Sequence, residues 1–251
     1  MTSTKRTISG VTPTLAERLV NEPALGDACN AVQMTGRAPK IEGEWISALR
    51  RSLGLFGALV LEPRVREVWS DESCLPGYTV GGIAGHVLSL MVGLQRRIEA
   101  RDFEVETIRY SEWYGSALSS REMHAGLIRM GEELATRGPL RLAADLEATG
   151  EGLARCLRES TTDLVVPLAS LPGAGVRLDD FLRTRFVEIT VHADDVAASV
   201  GLGCPDFPAT AWALAAEVLS ETSGRQGAGA RFVLTTSRPD RPRSDYLGDS
   251  C

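Results

Sequence analysis

The sequence has little of what membrane-spanning, disulfide-stabilised and nucleic-acid-binding proteins need. Its longest nearly unbroken apolar stretch, residues 53–61, is much shorter than the roughly 20 residues that span a bilayer. Five cysteines are scattered without a CxxC pair, which argues against a disulfide framework and against a cysteine-rich zinc site. A net charge of −6 disfavours a surface for nucleic acid or anionic lipid, because phosphate binding needs a dense basic patch.

Lysine is almost absent, since only Lys5 and Lys40 are lysines among 27 basic residues. Coding bias in a GC-rich genome accounts for such an excess of arginine. The first residues, MTSTKRTISG, lack the apolar segment of a secretory signal. We therefore expect a cytoplasmic monomer or homodimer with small-molecule partners, and neither nucleic acid nor membrane as a partner.

Helical periodicity dominates the chain, and patterns typical of strands are rare. Helices are predicted over residues 42–61, 79–98, 119–137, 139–159, 178–200 and 209–223. LVVPL within 161–175 is predicted to be extended, 101–118 to be a long loop over a pocket, and 230–237 to be a strand. The chain is thus predicted to be mainly α, with an N-terminal extension (1–40), a helical bundle (41–203) and a short C-terminal helical and extended region (204–251).

One predicted helix carries a polar stripe with metal-ligand chemistry. Arg185, Glu188, His192 and Asp195 are spaced by three, four and three residues, which places them on one face. Glu188 and His192 could bind one ion together with His86 from another helix, giving a His₂Glu site with an open position. Asp195 or Arg185 could interact with a ligating histidine without binding the metal, the carboxylate by accepting the other N–H of an imidazole ring. The ordinary alternative is an exposed Glu–His pair beside a core histidine.

Two stretches carry a family resemblance, LPGYTVGGIAGHV at 75–87 and RFVEITVHADDVAASVGL at 185–202. They resemble the mycothiol-dependent maleylpyruvate isomerase family of DinB-like bundles. That family's pattern is an LPGW-T-V segment, a helix with a histidine, and a later R-x-x-E-x-x-x-H-x-x-D-[LV]-A. The matching residues are Leu75, Pro76, Gly77, Thr79, Val80, His86, Arg185, Glu188, His192, Asp195, Val196 and Ala197. The resemblance covers about residues 42–238.

The resemblance implies a DinB-like four-helix bundle with a divalent metal, usually zinc, on His86, Glu188 and His192. It also implies mycothiol, a low-molecular-weight thiol, as co-substrate. Metal coordination removes the thiol proton and leaves a positioned thiolate. The resulting hypothesis is a metal-dependent S-transferase, whose thiolate attacks an electrophilic small molecule, with thiol-dependent cis–trans isomerisation as the alternative.

Five further side chains are candidates for the pocket. Arg185 and Arg238 are the catalytic candidates, since guanidinium groups suit the oxygen-rich thiol and carboxylate-bearing substrates. Tyr110, Trp113 and Tyr114 are candidates for binding the thiol or the acceptor, although aromatic residues in a loop also serve simple packing.

Two other functions stay open at this point. A hydrolase would keep the metal and use water, with Asp194, Asp195 or His124 as the remaining choices of base. A non-catalytic binding module is the other, because Gly81 and Gly82 replace a charged pair of the family pattern. These glycines reduce helix stability, and they provide either room for a ligand or close helix packing.

Overall fold

The computed structural model describes residues 39–100, 104–117 and 121–237, which form nine helices and three short strands. The helices are α1 (Gly43–Leu61), α2 (Pro63–Glu67), α3 (Val80–Ala100), α4 (Tyr110–Ala117), α5 (Arg121–Ala135), α6 (Pro139–Glu159), α7 (Leu178–Ser199), α8 (Ala209–Arg225) and α9 (Gly229–Ser237). The strands are β1 (Glu106–Thr107), β2 (Val165–Pro167) and β3 (Ala174–Arg177).

Four long helices form the bundle. Helix α1 packs on α6 and α7, and α3 packs on the same two helices. Helix α5 lies against α3, and α8 lies against α7, α4 and α1. In the small sheet, β3 is central and pairs parallel with β1 and antiparallel with β2. The mainly α, DinB-like bundle expected from the sequence is confirmed.

The core consists of the apolar stripes of the bundle helices, as their helical periodicity predicts. Its largest fully buried side chains include Leu49, Leu53, Phe56, Ile83, Met91, Leu146 and Phe186. Within the described part of the chain, no helix has both the length and the apolar character to cross a membrane.

Helix α3 begins where the sequence predicts, at the cap residue Thr79. The Thr79 hydroxyl accepts a hydrogen bond from the backbone N–H of Gly82 at 2.9 Å, which satisfies one of the free N–H groups of the first turn. The carboxylate of Glu132 in α5 accepts two hydrogen bonds from Thr79, one from its backbone N–H at 2.8 Å and one from its hydroxyl at 2.8 Å. This carboxylate therefore fixes the start of α3 to α5.

Glycines allow α3 and α5 to approach at backbone distance. A Cβ on Gly85 would collide with the carbonyl of Gly131, and a Cβ on Gly131 would collide with the carbonyl of Gly82. A Cβ on Gly81 would lie 2.5 Å from the indole of Trp69. Of the two explanations left open by the sequence, close packing is the one that these positions satisfy.

Two sequence predictions in the less regular segments are wrong. Residues 230–237 were expected as a strand but lie in α9, which packs along α8 with Thr235 and Thr236 donating their hydroxyls to carbonyls of the same helix. A short apolar run rich in branched residues does not by itself distinguish the two structures. Residues 110–117, expected within a long loop, form α4 instead.

The glycine contact generates a stability prediction. Gly131→Ala should destabilise the protein by about 1–3 kcal/mol, because backbone atoms of α3 would have to move. Gly126→Ala lies on the same helix with nothing near its Cβ and should stabilise by about 0.5–1 kcal/mol. Urea unfolding followed by circular dichroism measures both, and equal effects of the two substitutions would contradict the close contact.

Candidate metal centre

Three potential ligands converge inside the bundle from two helices. His86 projects from α3, while Glu188 and His192 lie one turn apart on α7. One ligand atom from each of these residues lies within 4.8 Å of the others. The side chains are largely buried, with exposed fractions of 5% for His86, 14% for Glu188 and 15% for His192. The i, i+4 pair and the distant histidine thus meet at one point.

The distances suit a small divalent cation. The Nε2 atom of His86 lies 3.4 Å from Oε2 of Glu188, and Nε2 of His192 lies 3.3 Å from the same oxygen. An ion with tetrahedral bonds of 2.0–2.2 Å separates its ligand atoms by roughly 3.3–3.6 Å. Two imidazole nitrogens and a carboxylate oxygen also form a common zinc ligand set. The residues present therefore fit a metal in both spacing and chemistry.

The charges of the cluster are set by burial and by mutual hydrogen bonds. Burial lowers the pKa of His86, which keeps its imidazole neutral. Burial opposes ionisation of Glu188, but hydrogen bonds with both histidines and the charge of Arg185 hold its pKa well below the usual range. Burial also disfavours charge on His192, yet its hydrogen bonds with Asp195 and Glu188 raise the pKa to about 9. A bound cation would therefore displace a proton from His192.

The two imidazole rings are held differently. The Nδ1 atom of His192 lies 2.8 Å from Oδ2 of Asp195, so the carboxylate holds the Nδ1–H and leaves Nε2 free for a ligand bond. His86 packs edge-on against the rings of Tyr78, at a centroid distance of 5.7 Å, and His192, at 4.9 Å. Its buried Nδ1 has no hydrogen-bond partner within the described residues. His86 is therefore oriented by ring packing and by the contact of its Nε2 with Glu188, and not through Nδ1.

Helix α4 brings Tyr114 to the cluster. The Tyr114 hydroxyl donates to Oε1 of Glu188 at 3.1 Å, and burial raises its pKa well above the ordinary value, so it remains a donor. Arg185 is buried with its Nη2 4.0 Å from the same oxygen. Its guanidinium donates to the hydroxyl of Thr184 at 3.0 Å and lies over the ring of Phe181 at 4.6 Å. Oε1 of Glu188 thus accepts a hydrogen bond from Tyr114, which the sequence could not pair with it, and lies near the charge of Arg185.

The remaining sequence candidates lie in other surroundings. Trp113 stacks on Phe181 at a centroid distance of 5.6 Å, and its indole N–H donates to Ser170. The ring of Trp113 also lies beside the ring of Tyr114. Tyr110 donates its hydroxyl to Glu221 of α8 and not to the metal cluster. Arg238 lies outside the described residues.

Two residues weighed from the sequence are exposed. His124, one of the possible bases of a hydrolase, is on the surface of α5. Cys74 is also exposed. Its thiol donates to the backbone carbonyl of Asp195 at 3.2 Å, so it contacts the end of α7 rather than the ligand atoms.

Sequence reasoning missed two parts of the site. The bond from Tyr114 to Glu188 joins residues 74 positions apart, and no periodicity in 104–117 predicts it. Tyr78 is not among the candidates from the sequence, but its ring packs edge-on against that of His86. The sequence signal for this contact was the aromatic character of Tyr78 in the LPGY segment, which matches the aromatic residue of the family pattern.

Comparison with known proteins decides the family. The family model of the mycothiol maleylpyruvate isomerase N-terminal domain matches residues 49–197. The chain belongs to this family. No curated protein and no solved structure matches the chain. The matched region contains the histidine of α3 and the carboxylate and histidine of α7, so the cluster lies wholly within the part shared with this family.

Removing a histidine of the cluster should abolish metal binding. His86→Ala or His192→Ala each leaves only two ligands, and we expect the loss of stoichiometric zinc measured by elemental analysis of dialysed protein. His124→Ala is the matched control, because this histidine is exposed on α5, and it should retain the metal content of the unmodified protein. Full zinc occupancy in either cluster variant would contradict the site.

The carboxylate of Asp195, which holds Nδ1–H of His192, should increase the affinity of the site for its metal. Asp195→Asn removes the charge that holds Nδ1–H of His192, and we expect metal affinity to fall by about 10–100-fold. Competition with a fluorescent chelator measures the change. Asp194→Asn, at the neighbouring position, serves as the control and should leave the affinity unaltered.

Proposed function

We propose that this protein is a divalent-metal-dependent enzyme that uses the thiolate of mycothiol to attack an electrophilic small molecule. The convergence of His86, Glu188 and His192 inside the region matched by the family model carries this proposal. Zinc is the metal we expect, because a set of two imidazoles and one carboxylate suits it. When bound, the ion would lower the pKa of the thiol and hold the thiolate.

The protein's own groups prepare the cluster for an anionic sulfur. His86 and His192 present neutral Nε2 atoms once the proton of His192 is displaced, and Asp195 keeps the second nitrogen of His192 occupied. Arg185 adds a buried positive charge within 4.0 Å of Glu188. Together with a bound divalent ion, this positive charge would favour a thiolate over a neutral thiol.

The aromatic rings beside the cluster would suit an apolar or conjugated electrophile. Tyr114, Trp113 and Phe181 form a series of neighbouring rings, with Trp113 in contact with both of the others. Arg185 and Arg238 are proposed to hold substrate oxygens, the former from beside these rings. Such surfaces exclude water from the reacting atoms and thereby protect the thiolate from protonation.

Thiol-dependent cis–trans isomerisation is the second candidate, and the name of the matched family favours it. In that reaction the thiolate adds to an activated double bond, the new single bond rotates, and elimination returns the thiol. The same side chains serve both reactions. The two differ in product, because a transferase consumes mycothiol whereas an isomerase regenerates it.

Binding of mycothiol should require both the metal and the free sulfur. By isothermal titration calorimetry, the zinc-loaded protein should bind mycothiol, and metal-free protein or His192→Ala should bind it much more weakly. S-methyl mycothiol is the matched ligand control, since it keeps the sugars and loses the ionisable thiol. Equal binding of the two ligands would contradict thiolate recognition.

Turnover distinguishes the candidate reactions. With a fluorogenic alkyl halide we expect mycothiol-dependent thioether formation, and with maleylpyruvate an isomerase would form the trans product without consuming thiol. Activity on an ester or amide panel without any thiol would instead support the hydrolase hypothesis.

A further inference from the structure

The two oxygens of Glu188 have different partners. Oε2 faces the Nε2 atoms of His86 and His192 at 3.4 and 3.3 Å. Oε1 accepts the hydroxyl of Tyr114 at 3.1 Å and faces Nη2 of Arg185 at 4.0 Å. The carboxylate is therefore divided between a ligand side and a supporting side.

We propose that Tyr114 is a positioning residue for the metal centre, whose hydroxyl holds Oε1 of Glu188 so that Oε2 alone binds the ion. This inference rests on the proposed function, because it presupposes that a metal occupies the cluster. A carboxylate without such a donor can rotate and bind an ion through either oxygen or both. A hydrogen bond that occupies one oxygen fixes the orientation and leaves a coordination position for the sulfur.

The position of Tyr114 is itself fixed by the packing of α4. Its ring is 3% exposed and lies beside Trp113, whose ring stacks on Phe181 of α7. At the start of the same helix, the hydroxyls of Tyr110 and Ser111 both donate to Glu221 of α8, so that either bond remains when the other is removed. Helix α4 is therefore attached to α7 and α8, so little side-chain entropy is lost when Tyr114 holds the carboxylate.

Packing alone does not require the hydroxyl of Tyr114. A phenylalanine would fill the same space in the core, whereas a buried hydroxyl needs an acceptor to offset its desolvation. Here the acceptor is the carboxylate of a candidate metal ligand. The hydroxyl is thus the part of the side chain that distinguishes positioning from packing.

Tyr114→Phe tests the assignment, because it removes the hydroxyl and keeps the ring. Metal affinity, measured by chelator competition, should fall by about 10–100-fold. With cobalt in place of zinc, the variant should show weaker visible absorption than the cobalt-loaded unmodified protein. The reason is that binding of Oε1 as well would raise the coordination number of the ion, and a higher coordination number weakens this absorption. Ser111→Ala is the matched control, since it removes from α4 another hydroxyl bound to a carboxylate, and should alter neither measurement.

Three results would overturn the inference: unchanged affinity and spectrum in Tyr114→Phe, an affinity loss without a spectral change, or an equal loss in Ser111→Ala. The last would mean that displacement of α4, and not loss of the Tyr114 bond, weakens the site. Circular dichroism of the metal-free variants confirms that both are folded. An unmodified protein that binds no metal would refute the proposed function itself, whereas these variant outcomes refute only the role of Tyr114.

Discussion

The buried carboxylate of Glu188 is the constraint on which the candidate site depends. A carboxylate inside a helical bundle is stable only when charged and hydrogen-bonded partners surround it. Those partners come from three helices: His86 from α3, Tyr114 from α4, and Arg185 and His192 from α7. Because each of these helices also contributes to the core, formation of the bundle and assembly of the site are one event. A mutation that moves any of the three helices would disturb the same group of potential ligands.

The placement of His86 depends on backbone contact between α3 and α5. Glycines in the middle of a helix each cost about 1 kcal/mol in propensity, so a cluster of them at the start of α3 is unfavourable locally. The cost is offset where Gly85 packs on Gly131 and Gly81 makes room for Trp69. The indole N–H of Trp69 also donates to the carbonyl of Ala135, which adds a second attachment between α5 and the start of α3. Helix α3, which contains His86, is therefore positioned by residues that take no part in the proposed metal binding.

The sequence predicted the parts of the site that follow helical periodicity. Spacing along α7 placed Glu188 and His192 on one face, and His86 on another predicted helix was already their candidate partner, which the resemblance then supported. It did not predict the bond from Tyr114, because the short helix α4 has no clear amphipathic pattern and its partner lies far along the chain. Residues 230–237 show the same limit, since a short apolar run forms a helix or a strand according to the neighbour it packs on, here α8. Local pattern determines elements, whereas long-range packing determines which side chains meet.

Charge balance gives a reason for a thiolate at the proposed centre. A divalent ion and Arg185 together would bring three positive charges to the cluster, and Glu188 and Asp195 supply two negative ones when both imidazoles are neutral. One positive charge would remain in largely buried surroundings, where an uncompensated charge is costly. A neutral thiol leaves that surplus in place, whereas a thiolate removes it. Among the described residues, Arg185 contacts no carboxylate closer than that of Glu188 at 4.0 Å. Its charge therefore favours the ionised form of the sulfur on which the proposed chemistry depends.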